Sequence, residues 1–170
     1  QYYAPDANPI IPGHLQGKVT GISGLNNYAV RRTHYIKRPA NAVNPRGGNP
    51  HGSGPGGGLS PSDIRTAYNL NSVTATGAGQ TIALFELDGY VASDITAYEN
   101  KFNLPKVPLK NILVDGFNGS AGGGADEVTL DIELQIAMAP GVNSVLVYEG
   151  PNTSPGVLDT YNKIATDNLA

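Results

Sequence analysis

Residues 80–87 read QTIALFEL, a nearly unbroken run of β-branched and apolar residues with an acid, Glu86, near its end. Strict alternation would mark a strand with one wet face. An unbroken run of this length marks a strand covered on both faces. Two further runs have the same character, KNILV at 110–114 and NSVLVYE at 143–149. Helical patterns separate them. Ser60 or Ser62 suits the cap of a helix running to Tyr68, with Pro61 in its first turn. Residues 93–103 fit a helix capped by Ser93. Another starts near Asp126 and is stopped by Ala139-Pro140-Gly141, and 155–168 fits a last one. Strands alternating with helices predict an α/β fold, a parallel sheet with right-handed crossovers and helices on both faces. Three strands cover only part of such a sheet, so a partner segment is expected to complete it.

Composition narrows the function classes. The chain has 170 residues, enough for one domain, yet only 39% are apolar because Gly (22) and Pro (13) are so frequent. The excess is local and marks a linker. A net charge of −3 supplies no basic footprint for nucleic acid or an anionic membrane. No apolar run approaches the ~20 residues of a spanning helix. There is no cysteine, which excludes disulfides, thiol nucleophiles and thiolate metal sites. The N-terminus lacks a signal-peptide pattern, so a secreted or extracellular protein would carry its signal upstream of Gln1.

Residues 1–30 include GKVTGISGL, which reads as a strand and turn. Residues 31–58 join RRTHYIKRP to GGNPHGSGPGGG, in which seven of twelve residues are Gly. Such a stretch predicts a flexible, protease-accessible linker. Its basic cluster, Arg31, Arg32, Lys37 and Arg38, is either a solvated connector or a processing or docking segment that opposes an acidic surface.

Residues 126–133 read DEVTLDIE, four carboxylates in eight residues. No Lys, Arg or His lies between Lys110 and Lys163, and His14, His34 and His51 all fall in the first third of the chain. That distribution argues against a Ser-His-Asp triad or a His-based metal site here. On a helical wheel Val128, Ile132, Ile136 and Ala139 form one apolar face, and Leu130, Leu134, Ala137 and Met138 a second. Thr129, Asp126 and Glu133 fall on a narrow solvent stripe. Glu127 and Asp131, one turn apart, fall between the apolar groups and point toward packed structure. An adjacent carboxylate and poor solvation both raise a carboxyl pKa, so the pair should titrate as a unit able to move a proton under acidic conditions. The alternatives are a backbone cap or a divalent cation at Glu127, Asp131 and Asp126, though Asp126 points away from the other two. Glu86, near the C-terminal end of a parallel strand, sits where ligands bind in open α/β sheets, with Asp88 close behind.

Four stretches, LSPSDIRTAYNL (59–70), TGAGQTIALFELDGY (76–90), DEVTLDIELQIAMAPGV (126–142) and LVYEGPNT (146–153), resemble the catalytic domain of the sedolisins, the serine-carboxyl peptidases. GKVTGISGLNNY (17–28) is similar to the end of that family's propeptide. The resemblance implies residues 1–30 as propeptide end, 31–58 as linker and 59–170 as the N-terminal half of a subtilisin-like peptidase domain. The mature start would fall near Gly56 to Leu59.

The resemblance further implies a Ser-Glu-Asp triad. Glu127 would be the general base or acid, Asp131 the residue that orients it, and Glu86 a supporting carboxylate. Asp88 stands where kumamolisin-type members have a Gly-rich turn. The family's serine motif, its oxyanion Asp and its C-terminal Ca2+ site have no counterpart in residues 1–170. Ser120 and Ser154 lack the required motif. The implied partners are the C-terminal half of the same peptidase, the rest of the propeptide, and a peptide or protein substrate. The competing expectation is a non-catalytic sedolisin-like subunit or propeptide-associated binding fragment.

Overall fold

The computed structural model describes residues 3–22, 24–27, 32 and 52–170. Three parallel strands, β1 (Thr81–Glu86), β2 (Leu109–Leu113) and β3 (Ser144–Glu149), form a sheet in the order β1-β3-β2. Four helices accompany them: α1 (Pro61–Ala67), α2 (Ala92–Lys101), α3 (Ala125–Met138) and α4 (Ser154–Asp167). Among the described residues no helix is long and apolar enough to cross a membrane.

The sheet separates two layers because side chains alternate across it. Val145 and Val147 of β3 and Ile82 and Leu84 of β1 point to the face holding α2 and α3, where Ile95, Val128, Ile132 and Ile136 close the core. Ile132 and Ile136 have no exposed surface at all. The opposite face carries α4, whose Tyr161 stacks on Phe85 with ring centroids 4.1 Å apart. Only β3, between two neighbours, is buried through nearly its whole length. β1 has a helix against each of its faces, α3 on one and α4 on the other, as its unbroken apolar run predicts. β1 is an edge strand among the described residues, and its first three residues are half-buried.

Local chemistry explains the helix starts. Ser60 caps α1 through a reciprocal box. Its hydroxyl accepts the Asp63 N–H, and Asp63 accepts the Ser60 N–H at 2.8 Å. Thr153 caps α4 by accepting the Gly156 N–H. Ser93 does not cap α2. The chain is already helical at Ala92, the capping position belongs to Val91, and its carbonyl accepts the Asp94 N–H. The second apolar face expected on α3 is also incomplete, since Leu130 is exposed while Ala137 is buried.

The N-terminal segment contains a short 3-10 turn at Gly13–Leu15 and no strand among its described residues. GKVTGISGL thus lacks its expected strand, because no sheet neighbour accompanies its β-branched residues. Gly24, at φ 80°, brings the segment onto α4, where a Cβ would fall 2.3 Å from Leu158 Cδ1. Most of the expected linker lies outside the described residues. Its last part, 52–58, is a closed turn rather than a free tether. Gly54 N–H donates to the Gly58 carbonyl at 2.9 Å, and Ser53 N–H donates to Asp63 at 2.7 Å. The expected mature start, Gly56 to Leu59, falls in and just beyond this turn.

Candidate active site

The C-terminal end of β1, the loop after β3, the N-terminal half of α3 and the first turns of α4 surround an open cleft of about 710 Å³. Glu86, Glu127 and Asp131 all line it, together with Asp88, Asn152 and Tyr161. The structure therefore brings together the three carboxylates singled out in the sequence. Glu127 and Asp131 are half-buried and face the cleft instead of packed protein. Glu86 is 5% exposed, and its Oε1 has no hydrogen-bond partner.

Electrostatics follow from that burial. Glu86 is pushed up to about 8, first by desolvation and then by the charges of Asp131, Glu127 and Glu149. Asp131 is raised by burial and by Glu127. At mildly acidic pH Glu86 holds its proton, so the cleft does not carry a full complement of anions. Among the described residues no set of three or more His, Asp or Glu is arranged to hold a metal ion.

Two residues outside this trio shape the site. Asp88 is a clamp. Its Oδ1 accepts the N–H groups of Gly89 (2.8 Å) and Gly122 (2.9 Å), and its Oδ2 accepts that of Gly124 (2.7 Å). A Cβ at Gly122 would meet Oδ2 at 2.9 Å, so the glycine-rich run before α3 is glycine where the carboxylate must approach backbone. The anion also sits at the N-terminus of α3, where the helix dipole favours it. Replacing Asp88 by Ala is expected to cost about 2–3 kcal/mol, read from the urea midpoint, with Asp88→Asn intermediate because one acceptor oxygen remains.

The second is Arg32, exposed and lining the same cleft. The stretch 111–162 holds no cation, yet one from far away in sequence lines the same cleft. Arg31, Lys37 and Arg38 lie outside the described residues.

Glu133 departs from its expected place on a solvent stripe. It is half-buried against α2 and raised to about 7 by desolvation and by Asp94. Asp126 is exposed, as expected. Glu149 was not singled out, yet it is fully buried and raised to about 7 by desolvation and by Asp88. The signal was available, since SVLVYE ends a buried run on an acid just as TIALFE does. The serines offer no nucleophile here. Ser154 is buried in the first turn of α4, and Ser120 sits in a turn whose N–H donates to Asn118.

Fold and cleft together define part of a subtilisin-like α/β domain, with carboxylates gathered at the C-terminal ends of its parallel strands. No family model matches the chain. It is similar to kumamolisin of Bacillus sp. (strain MN-32), 28% identical over 162 residues, which is 92% of this chain and 29% of that protein. Tripeptidyl-peptidase 1 of Dictyostelium discoideum is 32% identical over 139 residues, 79% of this chain and 21% of that protein. Xanthomonalisin of Xanthomonas sp. (strain T-22) is 24% identical, with 100% of this chain matched to 22% of that protein. The chain thus spans less than a third of the length of these curated relatives. Pseudomonas sedolisin, a serine-carboxyl proteinase solved with two molecules of pseudo-iodotyrostatin, has the same fold. Its TM-score is 0.58 at 22% identity over 66% of this chain and 33% of that one. These likenesses support the sedolisin family for this chain.

Proposed function

We propose that the protein to which this chain contributes is an acid-acting serine-carboxyl endopeptidase, with Glu127 and Asp131 as two members of its Ser-Glu-Asp triad. The observation that carries this reading is the convergence of Glu127, Asp131 and Glu86 on one open cleft at the strand ends. The nucleophilic serine and the oxyanion Asp come from a C-terminal part outside these residues, as does the Ca2+ site.

In the first step Glu127 accepts the serine hydroxyl proton as the oxygen attacks the peptide carbonyl. The protonated Glu127 then gives that proton to the leaving amine, which departs as the acyl-enzyme forms. Water repeats the sequence and releases the acid. Asp131, whose burial favours its protonated form, donates a hydrogen bond that orients Glu127. A carboxylate base suits acidic conditions because it keeps proton affinity matched to that range, as His does near neutrality.

The half-buried free edge of β1 suits a strand from the remaining part. Arg32 in the lining of the same cleft suits a propeptide arm seated over it before maturation, in a protein made for secretion. Co-expression with the serine-bearing segment, followed by assay of a denatured protein substrate between about pH 3 and about pH 8, tests the reading. Cleavage confined to the acidic side is expected. A folded, serine-bearing assembly that cleaves nothing would instead be a non-catalytic relative.

A further inference from the structure

We propose that Glu149 is a positioning residue for the cleft carboxylates, acting through Glu86 as the buried neighbour with which it exchanges a proton. This rests on the reading that Glu127 and Asp131 carry catalysis.

Four observations support it. Glu149 is Glu86's register partner across the parallel β1–β3 pair, so the two side chains leave the sheet on the same face, from strands about 4.8 Å apart. That face is the one α3 covers, as Val145, Val147 and Leu84 show by their packing against Val128 and Ile132. Glu149 has no exposed surface, and among the described residues neither of its carboxyl oxygens has a hydrogen-bond partner, nor does Glu86 Oε1. Finally, the loop held by Asp88 lies over Glu149. A Cβ on Gly119 would stand 3.4 Å from Glu149 Oε2.

An ionised carboxylate with neither water nor donor is costly, so a residue with only a packing role would be apolar at this position. The titratable groups that act on Glu149 or are acted on by it, among the described residues, are Glu86 from β1 and Asp88 and Tyr90 from the β1–α2 loop. None of them supplies a positive charge. Glu86 in turn is acted on by Glu127 and Asp131 of α3. Glu149 and Glu86 therefore titrate as a pair in which the charge of one delays ionisation of the other. The state of Glu86 then reaches the two triad members directly, whereas Glu149 touches neither substrate nor serine.

Carbon-13 detection of glutamate carboxyls in the purified chain tests the link without an activity assay. In Glu149→Gln, which keeps shape and removes the charge, the Glu86 midpoint is expected to fall by about one pH unit. Glu149→Leu, which suits an apolar site, should lower the Glu86 midpoint in the same way and serves if the first variant folds poorly. An unmoved Glu86 midpoint in either folded variant would overturn the pairing. In the reassembled protein, Glu149→Gln should shift the basic limb of the kcat/KM profile toward acid by a similar interval. A shifted Glu86 with an unshifted profile would overturn the positioning role. A wild-type assembly without activity would instead overturn the reading on which that role rests, leaving the pairing intact.

Discussion

Glu127→Gln is expected to lower kcat/KM of the reassembled peptidase by about 10³-fold or more, almost wholly in kcat. The amide keeps the size of the carboxyl but cannot take the serine proton, so the step common to acylation and deacylation loses its base. Substrate affinity should change little, because binding pockets are not built from the proton acceptor. Asp131→Asn should cost about 10²-fold, since an amide there still fills its place but disturbs the hydrogen bond that aims Glu127. The double variant should be hardly worse than Glu127→Gln, because an orienting residue has nothing left to orient. Melting temperatures serve as the control, and neither substitution removes a hydrogen-bonded partner given by the structure. Steady-state kinetics at mildly acidic pH decide the matter. Full activity in both single variants would remove Glu127 and Asp131 from the reaction.

Much of this arrangement is legible in the chain, for identifiable reasons. The Ser60 and Asp63 box, the unbroken run through Phe85 and the Val128-Ile132-Ile136 stripe are local patterns, and each produces its element within a residue or two. Glu127 and Asp131 follow from helical spacing, and Glu86 from its place at a strand end. What local pattern does not carry is the choice of neighbours. Nothing in QTIALFEL or NSVLVYE says which strand lies in the middle, so the edge position of β1 and the pairing of Glu86 with Glu149 are hidden in the sequence. Glu133 occupies a polar stripe on its own helix, and only the packing of α2 across that stripe desolvates it. Arg32 reaches the cleft by tertiary placement, which no spacing rule along 126–133 registers. Ser93 has the chemistry of a cap but lies two residues too far in, because a capping residue is chosen by where the backbone first becomes helical.

The same misplaced acids lead to the second large effect, a chain that is more stable in mild acid than at neutrality. Glu86 at about 8 and Glu133 and Glu149 at about 7 all lie above the ordinary 4.5. Between those values the folded chain binds more protons than the unfolded one, so stability must fall as pH rises. The contribution is fully present below about 4.5 and is lost as pH climbs through the folded values. Asp63 and Asp167 act in the opposite direction. Asp63 is lowered from 3.8 to about 2 by the N–H groups of Ser60 and Ser53, and Asp167 is lowered by Lys163. Their support is present above about 3.8 and is lost as pH falls through the folded values, which places the optimum near about pH 4–5. Melting followed by circular dichroism should show a midpoint about 5–10 °C higher at about pH 5 than at about pH 8. Glu133→Gln and Glu149→Gln should each flatten that slope by removing one group that must ionise while buried. A midpoint that is level or rising across this interval would mean that these carboxyls are solvated in the folded chain. The cleft would then lack the low-dielectric surroundings on which the proposed acid chemistry depends.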